Sequence, residues 1–163
     1  QNTTFNLFTG GSRVLVQGVL QPDQLKRAAQ LMAILCLLSG AYLWAQFDRA
    51  LAIPLVVMGL ALLWAYSYYP FKLSYRGGGE ALQMMGVGLV LPLFAFYAQS
   101  GGMTGFPLGL VLSLLPIQLA CAMSTSLPDQ PSDIRSEKRT AAVILGLKAV
   151  KVTIIVLSLL SLA

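Results

Sequence analysis

The sequence predicts an all-α membrane protein, a polytopic bundle of transmembrane helices. Of its 163 residues 56% are hydrophobic and 10% are charged, with a mean hydropathy of +0.73, whereas soluble domains carry about 25% charged residues. The apolar residues are gathered in five runs, each close to the ~20 residues that an α-helix needs to cross a bilayer. These runs are Leu25–Gln46, Ala50–Tyr66, Ala81–Ala98, Phe106–Met123 and Leu147–Ala163. Strands are disfavoured, because a membrane barrel shows ~10-residue segments of alternating polarity.

The chain ends suggest how much of a protein this sequence covers. It begins at Gln1 without a methionine or a signal-like segment, and it stops at Ala163 inside an apolar run. We expect a single membrane domain over residues 1–163, an internal piece that is truncated at both ends.

Basic residues are distributed unevenly between the two ends of the predicted bundle. If all five runs cross the membrane, ten basic residues lie on one side and only Arg49 on the other. The ten are Arg13, Lys26, Arg27, Lys72, Arg76, Arg135, Lys138, Arg139, Lys148 and Lys151. Because cytoplasmic loops carry the excess of Lys and Arg, we expect these loops to face the cytoplasm. The predicted location is the inner (plasma) membrane of a bacterium.

Two residue types limit the chemistry. The chain has no histidine, which removes imidazole as a general base or zinc ligand. Cys36 and Cys121 both fall inside apolar runs, where a free cysteine behaves as a small apolar residue and no disulfide need be invoked. Catalysis therefore has to use carboxylates, Lys, Arg, Tyr and bound metal.

A polar segment, Ser126–Thr140, interrupts the apolar runs and is the strongest candidate site. If Asp129 caps a helix with Pro131 in its first turn, Asp129 and Asp133 stand one turn apart on the same face. Two carboxylates at that spacing can share Mg²⁺, which takes oxygen ligands and often bridges to phosphate. The basic residues that follow suit the remaining charge of a phosphate.

The segment Tyr66–Glu80, where the second run ends and the third has yet to begin, carries four tyrosines, Lys72, Arg76 and three glycines that precede Glu80. Tyrosines at this position are often only the aromatic belt of a membrane protein. Beside fixed cations, however, their ring faces could hold an allylic chain that ionises to a carbocation, because a ring face attracts positive charge.

Taken together, the loops resemble the UbiA superfamily of membrane-embedded aromatic prenyltransferases, and within it the 1,4-dihydroxy-2-naphthoate polyprenyltransferase-like branch. TGGSRVLVQGVL is similar to the segment that follows the family's first aspartate motif. YSYYPFK matches its Tyr-x-x-x-Lys element, and YRGGGE resembles the opening of its next helix. LPDQPSDIRSEKRTAAVILG resembles the second aspartate motif, although Gln130 and Pro131 differ from the commoner Arg-containing versions.

The resemblance implies a bundle of about nine helices, of which about five lie in this chain. It implies a Mg²⁺-dependent enzyme that transfers a polyprenyl group from its diphosphate to an aromatic acceptor in quinone (menaquinone) biosynthesis. The bilayer would be a further partner, and no nucleic acid is expected. Because the first aspartate motif would lie upstream of Gln1, this stretch alone is expected to be inactive.

Site residues are carried over from the resemblance position by position. Asp129 and Asp133 would hold the metal. Tyr68 would contact the allylic region, and it is grouped with Lys72 as catalytic. The diphosphate would be bound by four basic residues: Lys72, Arg76, Lys138 and Arg139.

Two other functions also fit parts of the pattern. A CDP-alcohol phosphotransferase places Asp-x-x-x-Asp beside a membrane helix, but it should show an Asp-Gly-x-x-Ala-Arg run that is absent here. A piece of a transporter would carry charged groups at mid-membrane, and the apolar runs carry them only near their ends, at Lys26, Arg27, Lys148 and Lys151.

Overall fold

The computed structural model describes residues 14–15 and 17–162, and the elements in that part of the chain are helices without a strand. They are α1 (Pro22–Phe47), α2 (Ala52–Ser67), α3 (Leu73–Arg76), α4 (Gly79–Met85), a π-helical turn (Gly86–Val90), α5 (Leu91–Ser100), α6 (Leu108–Ser126), α7 (Gln130–Arg135), α8 (Ala141–Ile144) and α9 (Gly146–Leu160). The all-α prediction is confirmed. The whole TGGSR segment, including Arg13, lies outside the described residues.

Helix α1 begins at Pro22, three residues before the first apolar run. Pro22 occupies its first turn, where a missing N–H costs nothing, and the Gln24 side chain accepts a hydrogen bond from the Gln21 backbone N–H at 2.8 Å. The helix ends at Phe47, and Asp48 after it adopts the left-handed conformation. Gly40 is buried against the backbone of Ala52, so α1 and α2 approach each other closely at this point.

The third predicted run forms one continuous helix, Gly79–Ser100, with a π-turn that the sequence did not predict. Pro92 has no N–H and its ring would clash with the carbonyl four residues earlier in a regular helix. The chain accommodates it by widening, so that the Leu91 N–H bonds to the Gly86 carbonyl five residues back. Within this turn Gly88 lies directly against α6, because a Cβ there would be 2.8 Å from Leu115 Cδ2.

Within the part of the chain that the structure describes, three helices are long and apolar enough to cross a membrane: Pro22–Phe47, Gly79–Ser100 and Leu108–Ser126. The other two predicted runs also form helices, but α2 has 16 residues and α9 has 15. That these two also cross stays a prediction, as do the domain boundaries. Many large apolar side chains are exposed, as expected of surfaces that face lipid.

The core lies around α6, which packs against α4 and α9. Small buried residues, including Ala120, Ala122 and Val150, allow the helices to approach closely. This packing positions the site, because α6 leads into α7 and α8 at the end of the bundle where α3 meets α4. We call this end, with residues 66–80 and 126–140, the motif-bearing end.

Candidate active site

Asp129 and Asp133 stand at the start of α7 as the sequence predicts. Asp129 occupies the N-cap position, Pro131 lies in the first turn, and the Asp133 N–H bonds to the Asp129 carbonyl at 2.8 Å. Both aspartates line a pocket of about 100 Å³ between α4, α6 and the segment after α7. We call it the carboxylate pocket, and its other polar residues include Glu80, Gln83, Lys138 and Thr140.

Asp133 is buried, with 4% of its surface exposed. Lys138 Nζ lies 3.5 Å from its Oδ1, and the Thr140 hydroxyl donates a hydrogen bond to its Oδ2 at 3.2 Å. Burial raises the pKa of the Asp133 carboxyl, the nearby charge of Asp129 adds to this, and Lys138 and Thr140 oppose it. The pocket therefore keeps a carboxylate whose charge a further cation would stabilise.

The donor set fits a magnesium ion that is completed by a substrate. The described residues hold no group of three or more Asp, Glu, His or Cys side chains that could bind a metal by themselves. Mg²⁺, however, is commonly bound by one or two carboxylates together with water and substrate phosphates. Asp129 and Asp133, facing one pocket, supply that number of carboxylates.

Two of the four predicted diphosphate ligands meet at one tyrosine. Lys72 Nζ lies 4.1 Å and Lys138 Nζ 5.2 Å from the centroid of the Tyr75 ring. The face of an aromatic ring attracts positive charge, so Tyr75 lets two like charges lie near each other at reduced cost. Through the Tyr75 ring, Lys72 is thus linked to Lys138, which lines the carboxylate pocket.

The other predicted residues are not among those that line the carboxylate pocket. The Arg76 guanidinium donates to the Pro70 carbonyl at 2.8 Å and lies 5.3 Å from the Tyr69 ring centroid. Arg139 is exposed, and its backbone N–H bonds to the Tyr75 carbonyl at 3.0 Å. Tyr68 is 55% exposed and lines a separate groove between α1 and α2, beside Lys26.

An apolar groove adjoins the carboxylate pocket. Tyr66 and Gln83 line both. The groove has a volume of about 360 Å³ and runs between α2 and the Gly79–Ser100 helix. Gly59 and Gly86 also line a second apolar groove of about 350 Å³. A charged pocket thus lies beside two apolar grooves that share lining residues.

The sequence interpretation assigned no role to two residues of this pocket. Glu80 accepts a hydrogen bond from the Ala141 backbone N–H at 2.7 Å, and Thr140 contacts Asp133 as described. Thr140 belongs to the Lys-Arg-Thr run on which the family resemblance rested. Glu80 gave a weaker signal, because an acid at the start of a helix is common.

The whole of this end lies within the part of the chain that matches a known family. The model of the UbiA prenyltransferase family matches residues 9–163. The chain belongs to the UbiA prenyltransferase family. Comparisons with curated proteins and with solved structures gave no match.

Membership in the UbiA family gives the protein its general character. It is an integral membrane prenyltransferase, whose substrates are a prenyl diphosphate and an aromatic acceptor. The CDP-alcohol phosphotransferase and transporter alternatives are not favoured.

Proposed function

We propose that this protein transfers a polyprenyl group to a 1,4-dihydroxy-2-naphthoate-like acceptor in quinone (menaquinone) biosynthesis. The supporting observation is that the carboxylate pocket and the apolar groove lie side by side and share Tyr66 and Gln83 in their lining. A prenyl diphosphate has the same two parts, a compact polyanion joined to a long apolar chain. The acceptor assignment rests on the resemblance of the loop motifs.

Asp129 and Asp133 would hold Mg²⁺ in the carboxylate pocket. Bound there, the metal would neutralise charge on the diphosphate as a Lewis acid. Lys138 and Lys72 would bind diphosphate oxygens, and Tyr75 keeps both cations at this end of the groove. Arg76 and Arg139 are assigned to the diphosphate on the motif alone. Tyr68 stays assigned to the allylic region on the same ground.

The proposed reaction breaks one C–O bond, forms one C–C bond and releases the acceptor's carboxylate. The allylic C–O bond breaks, and the diphosphate leaves with the electron pair. A ring carbon of the acceptor then forms a C–C bond to the allylic carbon. With a naphthoate acceptor the same ring carbon releases its carboxylate as CO₂, which returns the electron pair to the ring. Fixed cations favour the first step because they stabilise the charge that develops on the leaving group.

The test is transfer by the complete protein in lipid vesicles. With geranylgeranyl diphosphate and Mg²⁺, we expect a prenylated, decarboxylated product from 1,4-dihydroxy-2-naphthoate. EDTA should abolish the product, and excess Mg²⁺ should restore it. Transfer only to 4-hydroxybenzoate would overturn the acceptor assignment, and the absence of transfer to either ring would overturn the proposal.

The groove can be tested by the length of the donor chain. A Cβ at Gly86 would lie 4.0 Å from Leu62, so a larger side chain there would project into the groove. Gly86→Leu should lower kcat/KM for long donors several-fold more than for dimethylallyl diphosphate. Gly109→Leu is the matched control, because Gly109 faces open space in α6, outside the groove. Equal losses for all donors would place the chain elsewhere.

The motif-bearing end is also proposed to face the cytoplasm. A cysteine at exposed Arg139, with Cys36 and Cys121 replaced by serine, should react with an impermeant thiol reagent only after the membrane is opened. A cysteine at Thr104, between α5 and α6, should react with the same reagent in intact cells, before the membrane is opened. Labelling of the Arg139 position in intact cells would contradict the orientation.

A further inference from the structure

Glu80 connects the two loops of the motif-bearing end, and the chemistry proposed above does not use it. Its Oε1 accepts a hydrogen bond from the backbone N–H of Ala141 at 2.7 Å, across 61 residues of sequence. Ala141 is the first residue of α8 and follows Thr140 directly. We call this hydrogen bond the interloop latch.

A second bond holds the same loop nearby. The Arg139 N–H donates to the Tyr75 carbonyl at 3.0 Å. The segment is therefore attached to the α3–α4 hairpin on both sides of Thr140. Because Thr140 and Lys138 are the side chains that contact Asp133, these attachments determine where the carboxylate finds its partners.

Three consecutive glycines bring Glu80 to this place. Gly77 and Gly78 have φ values of +93° and +94°, which favour glycine, and they reverse the chain between α3 and α4. A Cβ at Gly79 would lie 3.1 Å from Ser74 Cα and 3.2 Å from Tyr66 Cε2, so the start of α4 packs tightly on α3. Glu80 follows in the first turn of α4, directed at the second loop.

We propose that Glu80 is a positioning residue that holds the Lys138–Thr140 segment over the carboxylate pocket. Its carboxylate acts as a hydrogen-bond acceptor for Ala141 rather than as a metal ligand. The expected effect on catalysis rests on the proposed function. The interloop latch does not, because it is a hydrogen bond within the protein.

Two variants separate an acceptor from a charge. Glu80→Gln keeps an oxygen at the same place and loses the charge, whereas Glu80→Ala loses both. In the complete protein in vesicles, hydrogen exchange of peptides covering residues 136–146 should rise roughly tenfold or more in Glu80→Ala, the scale for a hydrogen bond to a charged group. Glu80→Gln should stay within about threefold of wild type.

Two controls test the assignment. Asp23→Ala removes an acid from the first turn of α1, for which the described residues provide no bond to a distant loop, and should leave exchange at residues 136–146 unchanged. Ala141→Pro removes the donor instead of the acceptor. Proline suits the first position of α8, because Thr140 before it is extended with ψ 162°. The double variant Glu80→Ala/Ala141→Pro should be no worse than either single one, since both break the same bond.

Prenyl transfer gives the functional readout. Glu80→Ala should lower kcat/KM by about tenfold, and Glu80→Gln should recover most of that loss. If Glu80→Gln is as inactive as Glu80→Ala while exchange stays normal, the charge is what matters and the positioning role is wrong. Unchanged exchange in Glu80→Ala would also overturn it. If wild type shows no transfer, the proposed function fails, yet the exchange data still decide the latch.

Discussion

The two ends of the bundle use charge in different ways. At the motif-bearing end the buried Asp133 contacts Lys138 in the carboxylate pocket, and Lys138 shares the Tyr75 ring with Lys72. At the opposite end Arg49 lies at the C-terminus of α5, where its Nε and Nη2 bond to the carbonyls of Ala98 and Gln99 at 3.4 and 3.5 Å. A cation at a helix C-terminus satisfies exposed carbonyls and stabilises the helix dipole. Charge there serves the fold.

At the motif-bearing end, by contrast, a buried charge reduces the stability of the fold. Burial raises the pKa of the Asp133 carboxyl, so its ionised form is less stable there than in water. Groups that reduce stability but line a pocket are more often kept for binding or catalysis than for folding. The comparison predicts that substitutions at one end change turnover, and that substitutions at the other change stability.

The largest effect is expected from Asp129→Asn and Asp133→Asn. Each removes a charge with little change in volume, so we expect turnover to fall by roughly 10²-fold or more, the scale for one preorganised electrostatic group. Steady-state rates across a Mg²⁺ titration should show partial recovery at high metal. Thermal unfolding should change little, because a neutral amide avoids the cost of a buried charge. Near-normal rates for both variants would mean that this segment is only a solvated loop.

A smaller effect is expected from Lys72→Ala. A fixed cation meets the diphosphate in the ground state as well as in the transition state, so KM for the donor should rise more than kcat falls. We expect a rise of about tenfold, the scale for a charge-assisted contact. Excess Mg²⁺ should not restore it, unlike the aspartate variants. A fall in kcat at unchanged KM would instead assign Lys72 to the ionisation step.

The features that could be predicted from the sequence are those that neighbouring residues specify. The spacing of Asp129 and Asp133, with Pro131 between them, specifies one helical turn whatever surrounds it, and the structure confirms it. The apolar runs likewise produced helices, although α2 and α9 are shorter than expected. These features depend on residues that are neighbours in the chain.

Features that depend on distant residues could not be predicted. The bond from Glu80 to Ala141 spans 61 residues, and the stacking of Lys138 on Tyr75 joins two loops. The π-turn before Pro92 had a local cause, but a proline in an apolar run predicts a distortion without its form. Tyr68 carried a motif role in the sequence, and its ring lies on another groove because α2 ends just before it.

Two glycines of the π-turn, Gly86 and Gly88, differ in how closely a neighbouring helix packs on them. Gly88→Ala would place a Cβ 2.8 Å from Leu115 Cδ2, whereas at Gly86 the nearest atom outside the helix is 4.0 Å away. We expect Gly88→Ala to lower the free energy of unfolding by about 1–3 kcal/mol, the cost of overpacking. Gly86→Ala should be close to neutral. Denaturant unfolding in mild detergent measures both, and equal effects would show that α6 can move away at little cost.

The smallest effect is expected at the opposite end, from Arg49→Ala. Losing a cation at the C-terminus of α5 should lower stability by about 0.3–1 kcal/mol, because the contact is partly exposed. Turnover per folded molecule should not change, since Arg49 lies at the end of the bundle opposite the carboxylate pocket. Arg49→Lys keeps the charge without the fork of donors, and it should recover part of the loss. Thermal unfolding and rates must be measured on the same preparations. If turnover fell as far as in Lys72→Ala, the two ends would be coupled, and the division between charge for folding and charge for catalysis would be wrong.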